Sequence, residues 1–207
     1  MFTGIVSTKG SILQITPTGG DSRLRIGCGT IEKRHFRVGD SIAVSGVCLT
    51  MLEPEETGFS ADVSNETLEL TTLGNLGPGQ LVNLELAMGL EDRLGGHMVS
   101  GHVDGKGRLL SRRKDARAER FEFEVPAGLA RYVAKKGSIC IDGVSLTVNE
   151  VDGFRFAVCL IPHTLEVTTL GDLQAGHEVN LEVDLIARYL ERLNDPDLQA
   201  AEQQMPI

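Results

Sequence analysis

The feature that most limits how this chain can fold is a repeat. Ser41-Ile42-Ala43-Val44-Ser45-Gly46-Val47-Cys48-Leu49-Thr50 returns 97 positions later as Ser138-Ile139-Cys140-Ile141-Asp142-Gly143-Val144-Ser145-Leu146-Thr147. The same offset, without gaps, sets Gly4 and Val6 on Gly101 and Val103, and Thr67-Leu68-Glu69 on Thr164-Leu165-Glu166. It also sets Thr71-Thr72-Leu73-Gly74 on Thr168-Thr169-Leu170-Gly171, and Val82-Asn83-Leu84-Glu85 on Val179-Asn180-Leu181-Glu182. Self-similarity at one fixed offset means two copies of one structural unit. The 207 residues therefore divide into 1–97 and 98–187, and each half is long enough to bury its own core.

Within each half, short segments rich in Val, Ile, Leu, Thr and Phe alternate with Gly, Pro, Asp and Asn, the pattern of strands joined by tight turns. Strands are predicted near 3–15, 22–28, 41–52, 58–64 and 81–88, and again near 100–111, 120–125, 138–150, 154–160 and 178–184. Single helical turns are predicted over 30–36 and 64–72, with copies at 127–134 and 162–169. Five or six strands in about 90 residues favour a small antiparallel barrel, because closing the sheet leaves no unpaired edge. A sandwich satisfies the same pattern. The segment 184–194 differs from everything before it. Leu185, Ile186, Tyr189, Leu190 and Leu193 form one apolar stripe opposite Arg188, Glu191 and Arg192, the signature of an amphipathic helix. That stripe covers either its own barrel or the same helix of another copy. A polar tail is expected over 195–207.

A net charge of −9 argues against a nucleic-acid surface, which needs a concentrated positive field. Four cysteines without C-x-x-C spacing read as reduced thiols, and no stretch has the length and apolarity of a membrane span. The expectation is a soluble, cytoplasmic protein that binds neither nucleic acid nor membrane.

The chemistry is concentrated where the two copies differ. Ser145 and Thr147 share one strand face, as Cys48 and Thr50 do in the first copy. His102 stands where the first copy has Ile5, and Asp184 where it has Ala87. The run Gly95-Gly96-His97-Met98-Val99-Ser100-Gly101-His102 brings backbone close to whatever lies beside it, and a histidine near its ordinary pKa is the usual group for moving protons. Its two histidines lack the further Cys or carboxylate that would complete a metal ligand set, so a turn-capping role competes with a functional one. Two pockets of one frame but different lining suggest two similar ligands, one held and one acted upon. No phosphate-binding glycine motif is present, and the hydroxyls near Thr67 and Thr164 suit a polyol.

Met1-Phe2-Thr3-Gly4-Ile5-Val6, Gly46-Val47-Cys48-Leu49-Thr50, Gly95-Gly96-His97, Ser100-Gly101-His102, Asp142-Gly143-Val144-Ser145-Leu146-Thr147 and Leu160-Ile161-Pro162-His163-Thr164-Leu165 together resemble the alpha-type riboflavin synthase family, a family of lumazine-binding repeats, over nearly the whole chain. The resemblance implies an all-β fold of two tandem six-stranded Greek-key barrels, with a C-terminal helix through which three chains associate. The implied reaction is the dismutation of two 6,7-dimethyl-8-ribityllumazine molecules. One passes a four-carbon unit to the other, giving riboflavin and 5-amino-6-ribitylamino-pyrimidinedione without metal or organic cofactor. It further implies that Gly4, Ile5 and Val6, Cys48, Leu49 and Thr50, and Asp62-Val63-Ser64-Asn65-Glu66-Thr67 line a first pocket. Gly101, His102 and Val103, Lys136, Ser145, Leu146 and Thr147, and Leu160 through Leu165 line a second, with Phe2 near their meeting point. The resemblance also implies that the two pockets face one another across neighbouring chains, which would turn a collision of two substrates into an oriented encounter.

Within that resemblance, the expected proton-transfer group is His102, with Ser145, Thr147 and Asp184 positioning or polarising the ring. Cys48, counted with the catalytic groups, either adds to the partner ring or, as the favoured expectation, packs against it or makes a weak hydrogen bond to it. His163 departs from the family pattern, so the backbone is taken as the contact there. The alternative is a non-catalytic lumazine- or flavin-binding protein of the antenna type. A flavin-dependent reductase would need a nucleotide-binding domain for which the chain has no room.

Overall fold

Ser45 and Gly46 have φ of 45° and 81°, and Asp142 and Gly143 have 45° and 82°. Two consecutive left-handed residues make the primed turn of a two-residue hairpin, whose twist matches that of its strands. The segments 41–52 and 138–150, each expected as one strand, are therefore hairpins, and Asp-Gly at 142–143 is a strong sequence signal for one. The computed structural model describes residues 1–31 and 36–196. The helical turn expected at 30–36 and the tail expected at 195–207 fall largely outside them.

The first repeat contains β1 (Thr8–Thr18), β2 (Asp21–Gly27), β3 (Ser41–Val44), β4 (Val47–Thr50), β5 (Gly58–Val63) and β6 (Leu81–Leu86). In the second are β7 (Gly105–Asp115), β8 (Ala118–Glu124), β9 (Ser138–Ile141), β10 (Val144–Asp152), β11 (Arg155–Leu160) and β12 (Glu178–Val183). Every ladder is antiparallel. The second repeat closes into a barrel in the order β10-β11-β8-β7-β12-β9, and the first has the equivalent order β4-β3-β6-β1-β2-β5. These orders join strands distant in sequence, as a Greek key does.

The two barrels differ at one seam. β10 runs nine residues and pairs with β11 from Val148 to Asp152. β4 stops at Thr50, and past it the isolated bridge Leu52 to Ser60 takes the place of a ladder to β5. Pro54, with no N–H to give, and Glu53, at φ 25°, stand where β10 continues as a ladder.

Each barrel has its own core, built around Ile12, Ile26 and Phe59 in the first and around Phe121, Phe123 and Phe156 in the second. A third cluster of Phe2, Ala43, Val99 and Cys140 joins them. Phe2 is wholly buried there and exchanges backbone hydrogen bonds with Val99, its own counterpart under the repeat, so an approximate two-fold axis passes between them. Full burial of such a side chain contributes about 1.5–3 kcal/mol. Around the same axis Asn83 Nδ2 donates to Asp142 O and Asn180 Nδ2 to Ser45 O, both at 2.8 Å. A Cβ on Gly46 would lie 2.7 Å from Gly143 N, and one on Gly143 2.8 Å from Gly46 N.

Short helices α1 (Asn65–Leu70) and α2 (Pro162–Val167) follow β5 and β11. The turn expected at 127–134 is a single 3-10 turn over Ala130–Tyr132. The final helix, α3 (Leu185–Leu193), docks by its polar face. Arg188 meets Asp104 at 2.7 Å, and Glu191 takes hydrogen bonds from Arg131 and Tyr132. Its apolar stripe stays outside: Ile186, Tyr189, Leu190 and Leu193 are 55%, 64%, 54% and 70% exposed. Leu185, the first residue of the stripe, is half-buried, so the chain's own barrel leaves most of that stripe uncovered.

Candidate active site

Residues 3–6 and 100–103, expected to begin strands, do something else: each segment crosses to the other repeat. Ser145 N donates to Gly4 O, and Cys48 N donates to Gly101 O, both at 2.8 Å. A Cβ on Gly4 would stand 2.5 Å from Ser145 Cβ, and one on Gly101 2.6 Å from Cys48 Cβ, so only glycine admits this approach. Val6 packs on the second core and Val103 on the first. The grouping by chain order therefore needs correction. Gly4, Ile5 and Val6 flank the Ser145 strand, while Gly101, His102 and Val103 flank the Cys48 strand.

A carboxylate holds each crossing segment. Thr3 N and Oγ1 donate to Glu85 Oε1 at 2.6 and 2.7 Å, and Gly4 N donates to Oε2 at 3.0 Å. Ser100 N and Oγ donate to Glu182 Oε1 at 2.7 Å each, and Gly101 N to Oε2 at 2.9 Å. Burial pushes both glutamates above the usual carboxylate range, against the pull of these donors.

The imidazole at Ser145 is that of His97. Its Nδ1 lies 2.7 Å from Ser145 Oγ, its backbone N donates to Thr3 O, and its Nε2 is buried without a hydrogen-bond partner. Burial lowers the His97 pKa and nearby Asp184 partly restores it, so the ring is neutral at physiological pH. With the proton on Nε2, Nδ1 accepts from the Ser145 hydroxyl, the relation of a general base to the hydroxyl it activates. His102 sits elsewhere: its side chain is exposed, its N donates to Ser100 Oγ and its O accepts from Arg188. The sequence left His97 between a turn cap and a functional group and assigned the proton transfer to His102. Gly95 and Gly96 before it were the available signal, since a Cβ on Gly96 would stand 2.2 Å from Thr3 O and 2.7 Å from Ser145 Cβ.

The remaining candidates divide by what their side chains do. Cys48 is half-buried against Phe2 and its cluster, and Thr50 and Thr147 are exposed on their strands. Leu49, Val63 and Leu160 are core residues, and Leu146 and Leu165 pack on the second core, so these could offer a ligand mainly their backbone. Asp62 is committed to Arg23 at 2.7 and 3.0 Å, which holds its carboxyl below the usual range. Ser64 caps α1 by accepting from Thr67 N, and Asn65 Nδ2 donates to Glu69. Glu66, Ile161, Pro162 and His163 are exposed, with Pro162 opening α2, and Thr164 O accepts the closing bond of that helix from Thr168. Lys136 is exposed, in a left-handed turn whose N–H donates to Val148 O. Asp184 caps α3 through Ile186 N. A cavity of about 810 Å³ adjoins Thr3, Ile5 and Glu85 but touches neither Cys48 nor Ser145.

Two barrels related by an approximate axis, each presenting a hydroxyl or thiol strand face walled by the other's first residues, define a two-repeat small-molecule-binding protein. The family described as Lumazine binding domain matches this chain twice, over residues 3–87 and 100–184. A riboflavin synthase of Mycobacterium bovis is 48% identical over 93% of this chain and 98% of its own length. One from Photobacterium phosphoreum is 44% identical over 93% and 88%, and one from Bacillus subtilis 39% identical over 93% and 89%. The crystal structure of LumP complexed with riboflavin superposes with a TM-score of 0.81 at 25% identity, covering 88% of this chain and 99% of that one. The chain belongs to the riboflavin synthase family.

Proposed function

We propose that the chain catalyses the dismutation of two 6,7-dimethyl-8-ribityllumazine molecules to riboflavin and 5-amino-6-ribitylamino-pyrimidinedione, as its relatives' name implies. The observation that carries this reading is the crossed pair of strand faces at Ser145 and Cys48, alike in frame and unlike in side chain, because the reaction needs two copies of one substrate in different roles. Ser145 with His97 would polarise or add to one ring, and Cys48 would pack against the other. The site would comprise the residues assigned by resemblance, now divided between the pockets as the crossing divides them, with the two repeats as the units 1–97 and 98–187. His102 keeps its proposed role in proton transfer, from the Cys48 side.

The same reading makes the protein a homotrimer. Its support is the exposed stripe Ile186, Tyr189, Leu190 and Leu193 on a helix already docked by its polar side. Association by that face would set the pocket of one chain against that of its neighbour. Four free cysteines support a cytoplasmic, reducing location. The decisive experiment is incubation of the protein with the lumazine alone. Riboflavin absorbance should grow, with half a mole formed per mole of lumazine consumed; binding without conversion would favour the antenna-type reading.

A further inference from the structure

Glu85 and Glu182 are identical in the two repeats, more than nine-tenths buried, and have no part in the chemistry described so far. Neither meets a cation as its main partner. Each spends its carboxylate on three donors from the first residues of its own repeat. The segment each one grips then crosses to the strand of the other repeat, Gly4 to Ser145 and Gly101 to Cys48. In the first case the bonds close a ring: Glu85 holds Gly4 N, Gly4 O holds Ser145 N, Ser145 Oγ meets His97, and His97 N returns to Thr3 O.

We propose that Glu85 and Glu182 are positioning residues, each fixing the ligand pocket of the opposite repeat: Glu85 sets the wall at Ser145, and Glu182 the wall at Cys48. A carboxylate suits the task because it offers only acceptors, and three donors on two oxygens fix both the height and the tilt of the segment. A glutamine in its place presents an amide N–H₂ to at least one donor, which leaves that donor unpaired and the segment free to lift. The proposal rests on the two-lumazine reading only for its binding readout.

The test compares the full chain with Glu85→Gln and Glu182→Gln by two measurements. The first is amide hydrogen exchange without ligand. Glu85→Gln should speed exchange at the Ser145 amide and leave that of Cys48 unchanged, and Glu182→Gln should do the reverse. The second is a fluorescence titration with 6,7-dimethyl-8-ribityllumazine, in which each variant should weaken one of two sites about ten- to hundredfold and spare the other. Should either variant fail to fold, Thr3→Val and Ser100→Ala remove a single hydroxyl donor from each grip and should give the same crossed pattern at about three- to tenfold. Faster exchange at the strand of the mutated residue's own repeat (Cys48 for Glu85→Gln, Ser145 for Glu182→Gln) in place of the opposite one, equal weakening of both sites, or no change at either amide would overturn the proposal. Absence of lumazine binding by the unaltered protein would instead refute the proposed function, while the exchange pattern would still decide the positioning role.

Discussion

Replacing Asp142 by asparagine should stabilise this protein, and more so as the pH rises. Asp142 is 7% exposed, at the turn of the second hairpin, and burial raises its carboxyl from 3.8 to about 7, with Asn180 N the donor that pulls it back. Because the folded pKa lies above the unfolded one, the group favours folding below pH 3.8 and loses that contribution as pH climbs through about 7. The difference of roughly three units corresponds to a ceiling of about 4 kcal/mol at pH 8 and under about 1 kcal/mol at pH 4. Asparagine keeps an oxygen for Asn180 N, leaves the backbone carbonyl that Asn83 uses, and tolerates left-handed φ well. Ser45 occupies the equivalent position of the first hairpin without a charge. Urea unfolding of the two proteins at pH 5 and pH 8 measures the gap directly. A gap that does not widen between those values, or a variant less stable at pH 8, would refute the argument from burial.

Three further outcomes follow from the site and its supports. His97→Gln should lower turnover more than lumazine affinity in steady-state and binding assays, since its neutral ring touches Ser145; equal losses would make it a binding residue only. Gly46→Ala should cost about 2 kcal/mol or more in thermal or urea unfolding, because the added carbon meets Gly143 N at 2.7 Å from a left-handed residue. Removing residues 185–207 should yield a smaller species by sedimentation, and an unchanged mass would contradict association through α3.

The repeat made the double barrel legible, because an ungapped offset carries strand order from one half to the other and alternating apolar residues locate the strands. It could not show the crossing. An offset tells which residues are equivalent, whereas Gly4 touches Ser145 rather than the residue aligned with it. His102 was accordingly assigned to the Ser145 side because both stand in the second repeat and the family resemblance groups them, while His97, next to Ser145 in space, was left between a turn cap and a functional role. The hairpins were legible in Asp142-Gly143 and missed because their flanking apolar residues run on continuously. The glutamates were visible as identities in Val-Asn-Leu-Glu, yet an acidic residue on a strand reads as solvent-facing until its donors are seen. The open seam of the first barrel was written in Pro54.

The crossed segments also bear on how the two pockets came to differ. Their arrangement is that of a two-fold dimer of single repeats in which each subunit lends its first residues to the other. Once such a pair is one polypeptide, the two halves are free to accumulate different substitutions, and cysteine at 48 against serine at 145 is a difference of this kind. Yet neither strand face is walled by one half alone, so a change in residues 3–6 alters the surroundings of Ser145 and one in 100–103 those of Cys48. Specialisation of the two active faces is thus inherited jointly, and recombination that exchanged one repeat between relatives would mismatch both.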